Sequence, residues 1–584
     1  MSQTEFFKQS QKITSRFLQT VVAVDDNLKF SNRATASTDE ELKVPEEGLF
    51  GDFGGAENKP SRPLSHELHY QELSHEFAEL GIVCGGFKPV IDDTNASLDA
   101  VVTSSKNADI TILDWQMKST GDDGDFAVKT IECLAESDIS EFGRTRLICI
   151  YTAEAKEKVE QVLINRLENL NPRQKDKSIY FEAPYLSHWK VEVVSKVVRE
   201  KQLCDELIKS FTELTAGLLS NAALASIASI RDNTHNLLHR FNNSLDSAYL
   251  SHVLGLISSP KMREQAHDVA FDYAVDLISE ELKSELQIND FVKKSLSSKA
   301  LQSWPSFVAE DEDESCFVIE LGSKETYNLN AKNLESLLIG NNLSKTLEEI
   351  GVAQGKRIIQ TTNKIKRKLA KESDEGNIDP ILNESNALTV KEKMEKPARR
   401  FEDSAIQLSF KEQSEKPSLD LCAIESTRRC ISSQPVKPPS LKQGTVIKSL
   451  SDNAYYVCVQ PVCDSVRLRC STSFTFLKVR EADGNNNLTH VLRSDLDSHL
   501  KLSISCKATT IRTFNFMPDS NTKTVIGSSE NGKHVYKEDS SEEGFEWCGE
   551  LKQPVAQSIV NSLAAQLSRV GLDTFEWLRH RQMN

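Results

Sequence analysis

Three short apolar runs of this chain each stop on a polar side chain. Val21-Val22-Ala23-Val24 leads into Asp25 and Asp26, Ile110-Thr111-Ile112-Leu113 into Asp114, and Leu147-Ile148-Cys149-Ile150-Tyr151 into Thr152. Runs of this length and β-branched content read as buried strands. Helical spacing lies between them, and the βαβα alternation continues to Pro184. Such alternation calls for a doubly wound sheet, whose strand ends converge on one crevice at the carboxyl edge. Clustered carboxylates repel one another, so at least one pKa should rise unless a cation is present. Mg²⁺ takes one or two carboxylates and keeps several waters. Asp25, Asp26, Asp114 and the carbonyl of Gln116 can supply such a set. The plainer alternative is that these acids only cap helices, since Asp is a common N-cap. Four matches in the right order are hard to get from capping alone.

The pattern resembles the receiver domain of bacterial response regulators. The resemblance implies that Asp25 and Asp26 bind Mg²⁺ and that Asp114 binds the metal and accepts phosphate. Met117 sits three residues on, as in that family, and Thr152, followed by Ala153, would contact the phosphoryl oxygens. Tyr180 fits the aromatic switch position. Lys118 stands where the family has proline, and Gly124 follows in a loop longer than usual. The family's remaining site residue is a lysine before a proline. That slot reads Phe181-Glu182-Ala183-Pro184, so Ala183 stands at the lysine position. A phosphoryl group on Asp114 would then lack a charge-assisted contact of roughly 1.5–3 kcal/mol. Lys118, Lys177 and Lys190 are the cations left to reach in. A degenerate receiver that no longer turns over phosphate is therefore expected, with a slow but active phospho-receiver as the alternative. The Ile112-Leu113-Asp114-Trp115-Gln116 and Ile150-Tyr151-Thr152 segments are similar to inactive receiver-like domains of bacterial conflict and anti-phage systems. That similarity implies a signalling protein partnered by a histidine-kinase-like or Hsp90-like ATPase, rather than a stand-alone enzyme.

A chain of 584 residues is too long for one ordinary domain. Residues 1–200 read as the flavodoxin-like α/β unit, with a Gly-, Glu-, Pro- and Ser-rich loop insertion at 31–63. From about 188 to 290 the β runs give way to apolar residues at spacings of three and four, so 201–295 read as an α-helical bundle. Residues 296–375 are mixed α/β, and 376–440 form a proline-bearing linker. Residues 441–584 carry short strand candidates and a last amphipathic helix, which fits a β barrel or sandwich.

The net charge of −16 argues against broad nucleic-acid affinity. A basic stretch from Lys356 to Lys371 reads as a solvated helix face, or as a local phosphate contact. Met1–Ser10 has no apolar signal core, and no run approaches the ~18 apolar residues of a membrane span. A cytoplasmic location is expected. None of the twelve cysteines forms a Cys-x-x-Cys pair; Cys458, Cys463 and Cys470 read as reduced strand cysteines. His235 and His239 share a helix face. They suit zinc only weakly, because Asn236 replaces the glutamate of the metalloprotease motif. A phosphotransfer histidine or a recognition site are the other readings. Cys463-Asp464 is a further candidate, for recognition or, with a histidine nearby, for a catalytic site in the β domain.

Overall fold

The computed structural model describes residues 4–28, 68–89, 94–117, 124–260, 262–263, 266–309, 311, 313–322, 325–340, 350, 405–411, 415–430, 438–484, 487–494, 498–530, 532–541 and 543–568. The 31–63 insertion, Lys118, the Lys356–Lys371 stretch and most of the 376–440 linker lie outside them.

The three apolar runs are strands, as their composition requires: β1 (Thr20–Val24), β3 (Ile110–Asp114) and β4 (Arg146–Thr152). Together with β2 (Val83–Phe87) and β7 (Trp189–Ser195) they form a parallel sheet in the order β2-β1-β3-β4-β7. An antiparallel hairpin, β5 (Pro172–Lys175) and β6 (Ser178–Phe181), extends it beyond β7. Its turn residues Asp176 and Lys177 both have positive φ, the conformation that joins two twisted strands through two residues.

Every residue of β3 and β4 is buried, because helices cover both faces. One face carries α3 (Thr94–Lys106), α4 (Asp125–Ser140) and α5 (Lys156–Arg166), with Val101, Ile131, Leu134 and Leu163 fully buried. The other carries α2 (Tyr70–Glu79) and α6 (Glu200–Thr215), through Leu73, Phe77, Leu207 and Phe211. Each such side chain contributes about 1.5–3 kcal/mol, and Phe211→Ala should cost about 3–5 kcal/mol.

Two expectations change here. Residues 189–195 are a strand, not the start of a helical region, because Trp189, Val191, Val193 and Val194 pack into both sides of the sheet. Helix α6 belongs to the sheet's core, so the helical region starts after it, at α7 (Leu218–Arg240).

The chain divides into two units. The first, residues 1–243 and 275–411, holds this sheet, α1 (Glu5–Phe17) and α7. Asn221 of α7 donates to the Ser10 hydroxyl of α1 at 2.9 Å, and Arg231 donates to the Phe17 carbonyl at 2.8 Å. A small antiparallel sheet of Phe317–Leu321, Glu325–Leu329 and Ile406–Phe410 completes the first unit.

The second unit, residues 244–274 and 412–584, is built on an antiparallel sheet. Alternate residues of its strands enter two cores. Ile447, Phe474, Phe476 and Trp547 meet in an aromatic cluster, while Val446, Leu477 and Val479 pack with Ile559 and Leu563 of the last helix, Gln553–Leu567.

Candidate functional site

Parallel register brings the strand ends together. Val24 pairs with Leu113, Asp114 with Tyr151, and Thr152 with Ser195. Asp25, Asp114 and Thr152 therefore emerge side by side, and the residue after β7 joins them. That residue is Lys196. Its Nζ lies 2.9 Å from Asp25 Oδ2 and 3.0 Å from Asp114 Oδ1, and its backbone N–H donates to the Thr152 carbonyl at 2.7 Å. The Tyr151 ring lies 5.7 Å from the same ammonium and its hydroxyl donates to the Val198 carbonyl at 2.6 Å, fixing the chain beyond the lysine.

Asp25, Asp26 and Asp114 are all buried, and ligating oxygens from the three lie within 4.8 Å of one another. Asn27 donates its backbone N–H to Asp25 and its amide to Asp26, at 2.6 and 3.0 Å. The Thr152 hydroxyl accepts the Glu154 N–H at 3.0 Å, which leaves its own hydrogen to donate. Glu154 also accepts from Gln116, and from Lys158 at 2.7 Å, so the loops after β3 and β4 are tied together. Next to Asp114, the Trp115 ring packs against Gly124, where a Cβ would come within 2.2 Å of it. Gly124 has a φ of +82° and opens α4, so glycine is required there twice over.

Burial pushes the Asp114 carboxyl up to about 7, against the opposing pull of Lys196, with Asp25 adding to the rise. Burial also raises Asp25, again against Lys196. Among the described residues three carboxylates face the Lys196 ammonium, so the fully ionised aspartates outnumber the positive charge described beside them. A divalent cation with oxygen preference fits that shortfall. Asp25, Asp26 and Asp114 would hold it, and the Gln116 carbonyl follows Asp114 on the same loop.

The lysine position is thus Lys196, and Ala183 is not the slot. Strand β6 runs antiparallel to β7, with Tyr180 opposite Lys190. Phe181 and the residues after it leave at the amino edge of the sheet, some 20 Å from the strand ends that carry the acids at about 3.3 Å per residue. The Ala-Pro dipeptide misled because it follows an apolar run at the expected distance. The signal that marks the true position is the run Val191-Glu192-Val193-Val194-Ser195 closed by Lys196, with Val197 where a proline was sought. Tyr180 moves with the hairpin and is not the switch residue; three residues before Lys196 stands Val193. Lys190 is buried against Glu213 at 2.9 Å, and Lys177 sits in the hairpin turn.

The other candidates stay apart from this cluster. His235 and His239 are exposed on α7. Among the described residues the three aspartates form the group of metal-ligating side chains, and neither histidine belongs to it. Cys463 and Asp464 are exposed in a short 3-10 turn and contact each other at 3.5 Å. The histidines of this unit that were candidates to join them contact other residues: His534 packs on Trp547, His499 pairs with Asp420, and His490 meets Thr489. Cys458 is buried while Cys463 and Cys470 are exposed, and all three are free thiols.

The family model of the response receiver domain matches residues 17–213. Residues 17–213 are therefore similar to a response receiver domain. The match spans about a third of the chain, from the end of α1 to α6, and takes in Asp25, Asp26, Asp114, Thr152 and Lys196. Receiver domains typically bind Mg²⁺, in keeping with the charge shortfall of the aspartates. Neither the curated proteins nor the solved structures give a match for this chain. No helix among the described residues is long and apolar enough to cross a membrane.

Proposed function

We propose that the receiver domain is an active, Mg²⁺-assisted phosphoryl switch with Asp114 as acceptor. The observation that carries this reading is Lys196, 3.0 Å from Asp114 and 2.9 Å from Asp25. The degenerate receiver expected from the sequence rested on an empty lysine position, and Lys196 beside the aspartates supports the active alternative instead. An ionised Asp114 oxygen attacks phosphorus; the P–N bond of a donor phosphohistidine breaks, and the departing imidazole takes a proton from water. Lys196 then turns from the carboxylate to a phosphoryl oxygen, and the free hydrogen of Thr152 donates to another. Mg²⁺, when bound, neutralises part of the phosphoryl charge. The donor is a histidine-kinase-like or Hsp90-like ATPase of a bacterial cytoplasmic signalling or anti-phage system, and the regions after the receiver carry its state to an effector.

Incubating the full chain with acetyl phosphate and Mg²⁺ tests this. One phosphoryl group per chain is expected on Asp114, absent with EDTA and absent in Asp114→Asn. An unmodified chain that also fails to take up beryllofluoride in the presence of Mg²⁺ would return the domain to the degenerate reading.

A further inference from the structure

Buried polar atoms without a partner gather at one place in the second unit. Among the described residues Trp547 Nε1, His534 Nδ1 and Glu550 Oε1 are shut off from solvent and make no hydrogen bond. Trp547 is 1% exposed and Glu550 3%. Leaving such atoms unpaired is costly, and native structures keep few of them. Three in one cluster call for a group that pairs with them.

The backbone puts them on one face. On the strand Gly544–Leu551, Trp547 and Glu550 are three residues apart, so in a regular strand they would point to opposite sides. A β-bulge intervenes: Ile447 pairs with Trp547, Val446 with Gly549 and Thr445 with Glu550. The extra residue turns Glu550 back to the face of Trp547. Gly549 allows the bulge, since its φ is +148° and a Cβ there would come within 2.9 Å of the Arg429 carbonyl. Arg429, on the strand Thr427–Arg429, lies opposite Glu550. The ring of His534, on the strand Lys533–Lys537, is 5.8 Å from that of Trp547.

Two cations border the cluster. The Arg429 guanidinium is 5.5 Å from the centre of the Trp547 ring, and its Nη1 is 3.9 Å from Glu550 Oε1, beyond hydrogen-bond reach. Lys442 Nζ is 3.5 Å from Glu550 Oε2. The two side chains are 21% and 25% exposed, so solvent reaches the cluster past them. Burial, with Arg429 nearby, pushes the His534 imidazole down, so near pH 7 it is neutral and carries one hydrogen. Two cations against one carboxylate leave a positive charge, which suits an anion.

That anion must also donate. Trp547 Nε1 needs an acceptor, whereas Glu550 Oε1 needs a hydrogen. Hydrogen phosphate offers both: bare oxygens for Trp547, His534 and the cations, and a P–O–H for Glu550. Sulfate has the same shape and charge but no hydrogen, so Glu550 repels it. We infer that this cluster binds a hydrogen-bearing phosphate group, free or as a monoester. The site is independent of the phosphoryl reaction at Asp114.

Titration calorimetry of the full chain with inorganic phosphate tests this, in EDTA so that the Mg²⁺-dependent receiver site does not contribute. One phosphate per chain is expected, with sulfate at least tenfold weaker. Glycerol phosphate in the same titration tells a monoester from the free ion, and either one bound in preference to sulfate supports the site. Trp547→Phe keeps a ring in the core and removes the N–H, so phosphate affinity should fall at least tenfold. Glu550→Gln puts an N–H where the carboxylate stood, so sulfate should then bind as well as phosphate. Circular dichroism checks that each variant folds; if one does not, the other still decides. Absence of phosphate binding overturns the inference, as does a wild-type chain that binds sulfate as tightly as phosphate. Phosphate affinity and selectivity unchanged in both variants overturn it as well.

Discussion

The receiver sheet buries charge at both of its edges, and the two edges are built differently. At the amino edge Arg146 and Asp138 are fully buried. The guanidinium donates twice to Asp138, at 2.8 and 2.9 Å, and to the Ser105 carbonyl at 2.6 Å. Trp189 Nε1 adds a donor to Asp138 at 3.0 Å. Positive and negative charge balance, and the strong donors and acceptors have partners. At the carboxyl edge three aspartates are buried together, Lys196 pairs with two of them among the described residues, and Asp114 is pushed up to about 7. One edge is electrostatically closed; at the other, among the described residues, the carboxylates outnumber the cations. Burial alone therefore does not mark a functional cluster. Unbalanced burial does, since a protein holds such a deficit at a cost in stability.

The largest effect that would break this contrast is at the closed edge. Arg146→Ala leaves Asp138 buried without its cation and should cost about 3–5 kcal/mol, enough to unfold the receiver in a urea melt. A small loss would mean that the amino-edge pair is not a closed structural unit. Asp114→Asn, at the open edge, should do the reverse and raise the melting temperature without Mg²⁺.

The pH dependence sharpens the same comparison. The folded Asp114 carboxyl stands near 7 against an ordinary value of 3.8, so the native state keeps a proton that the unfolded chain has released. Its contribution to stability is present in full below about 4 and is lost as pH rises through about 7. Without Mg²⁺ the wild-type chain should therefore lose up to a few kcal/mol across that window relative to Asp114→Asn. Saturating Mg²⁺ should remove most of the difference, because an ion bound only by the folded state offsets the repulsion. Equal pH profiles for the two proteins without Mg²⁺ would deny the deficit.

Gly124→Ala is a smaller disturbance beside the acceptor. The residue has φ +82°, and its new Cβ would meet the Trp115 ring at 2.2 Å. Left-handed backbone alone costs about 1–2 kcal/mol, and Trp115 must move. A lower melting temperature together with altered tryptophan emission is expected. Unchanged emission would mean that Trp115 does not set the loop after Asp114.

How much of this was legible in the sequence depends on what a strand end reveals. Asp25, Asp114 and Thr152 could be placed because each closes an apolar run, and a parallel sheet turns that order directly into proximity. Lys196 closes such a run as well. Its strand carries Lys190 and Glu192, whose side chains face Glu213 and Ser210 of α6, so polar residues interrupt the apolar signal. The β5–β6 hairpin then offered a cleaner run before Pro184, although an antiparallel strand delivers its carboxyl end to the wrong edge. Periodicity finds strands but carries no sign for their direction. Helix α6 was likewise read by spacing alone, which cannot distinguish a helix on a sheet from one in a bundle.

The smallest expected effect concerns Lys196 and Mg²⁺. The ammonium sits between Asp25 and Asp114, two of the carboxylates a cation would use, so metal and lysine compete for the same oxygens. Lys196→Met keeps the volume and removes the charge. Mg²⁺ affinity, read by titration calorimetry, should then rise several-fold, by about 1 kcal/mol for charges near a solvent-accessible crevice. Retention of the phosphoryl group on Asp114 should fall, because the cation that pairs with it is gone. The two readouts move in opposite directions only if Lys196 serves the phosphorylated state. If both fall together, the lysine's role is to hold the aspartates in place, and the open edge would resemble the closed one more than its charge suggests.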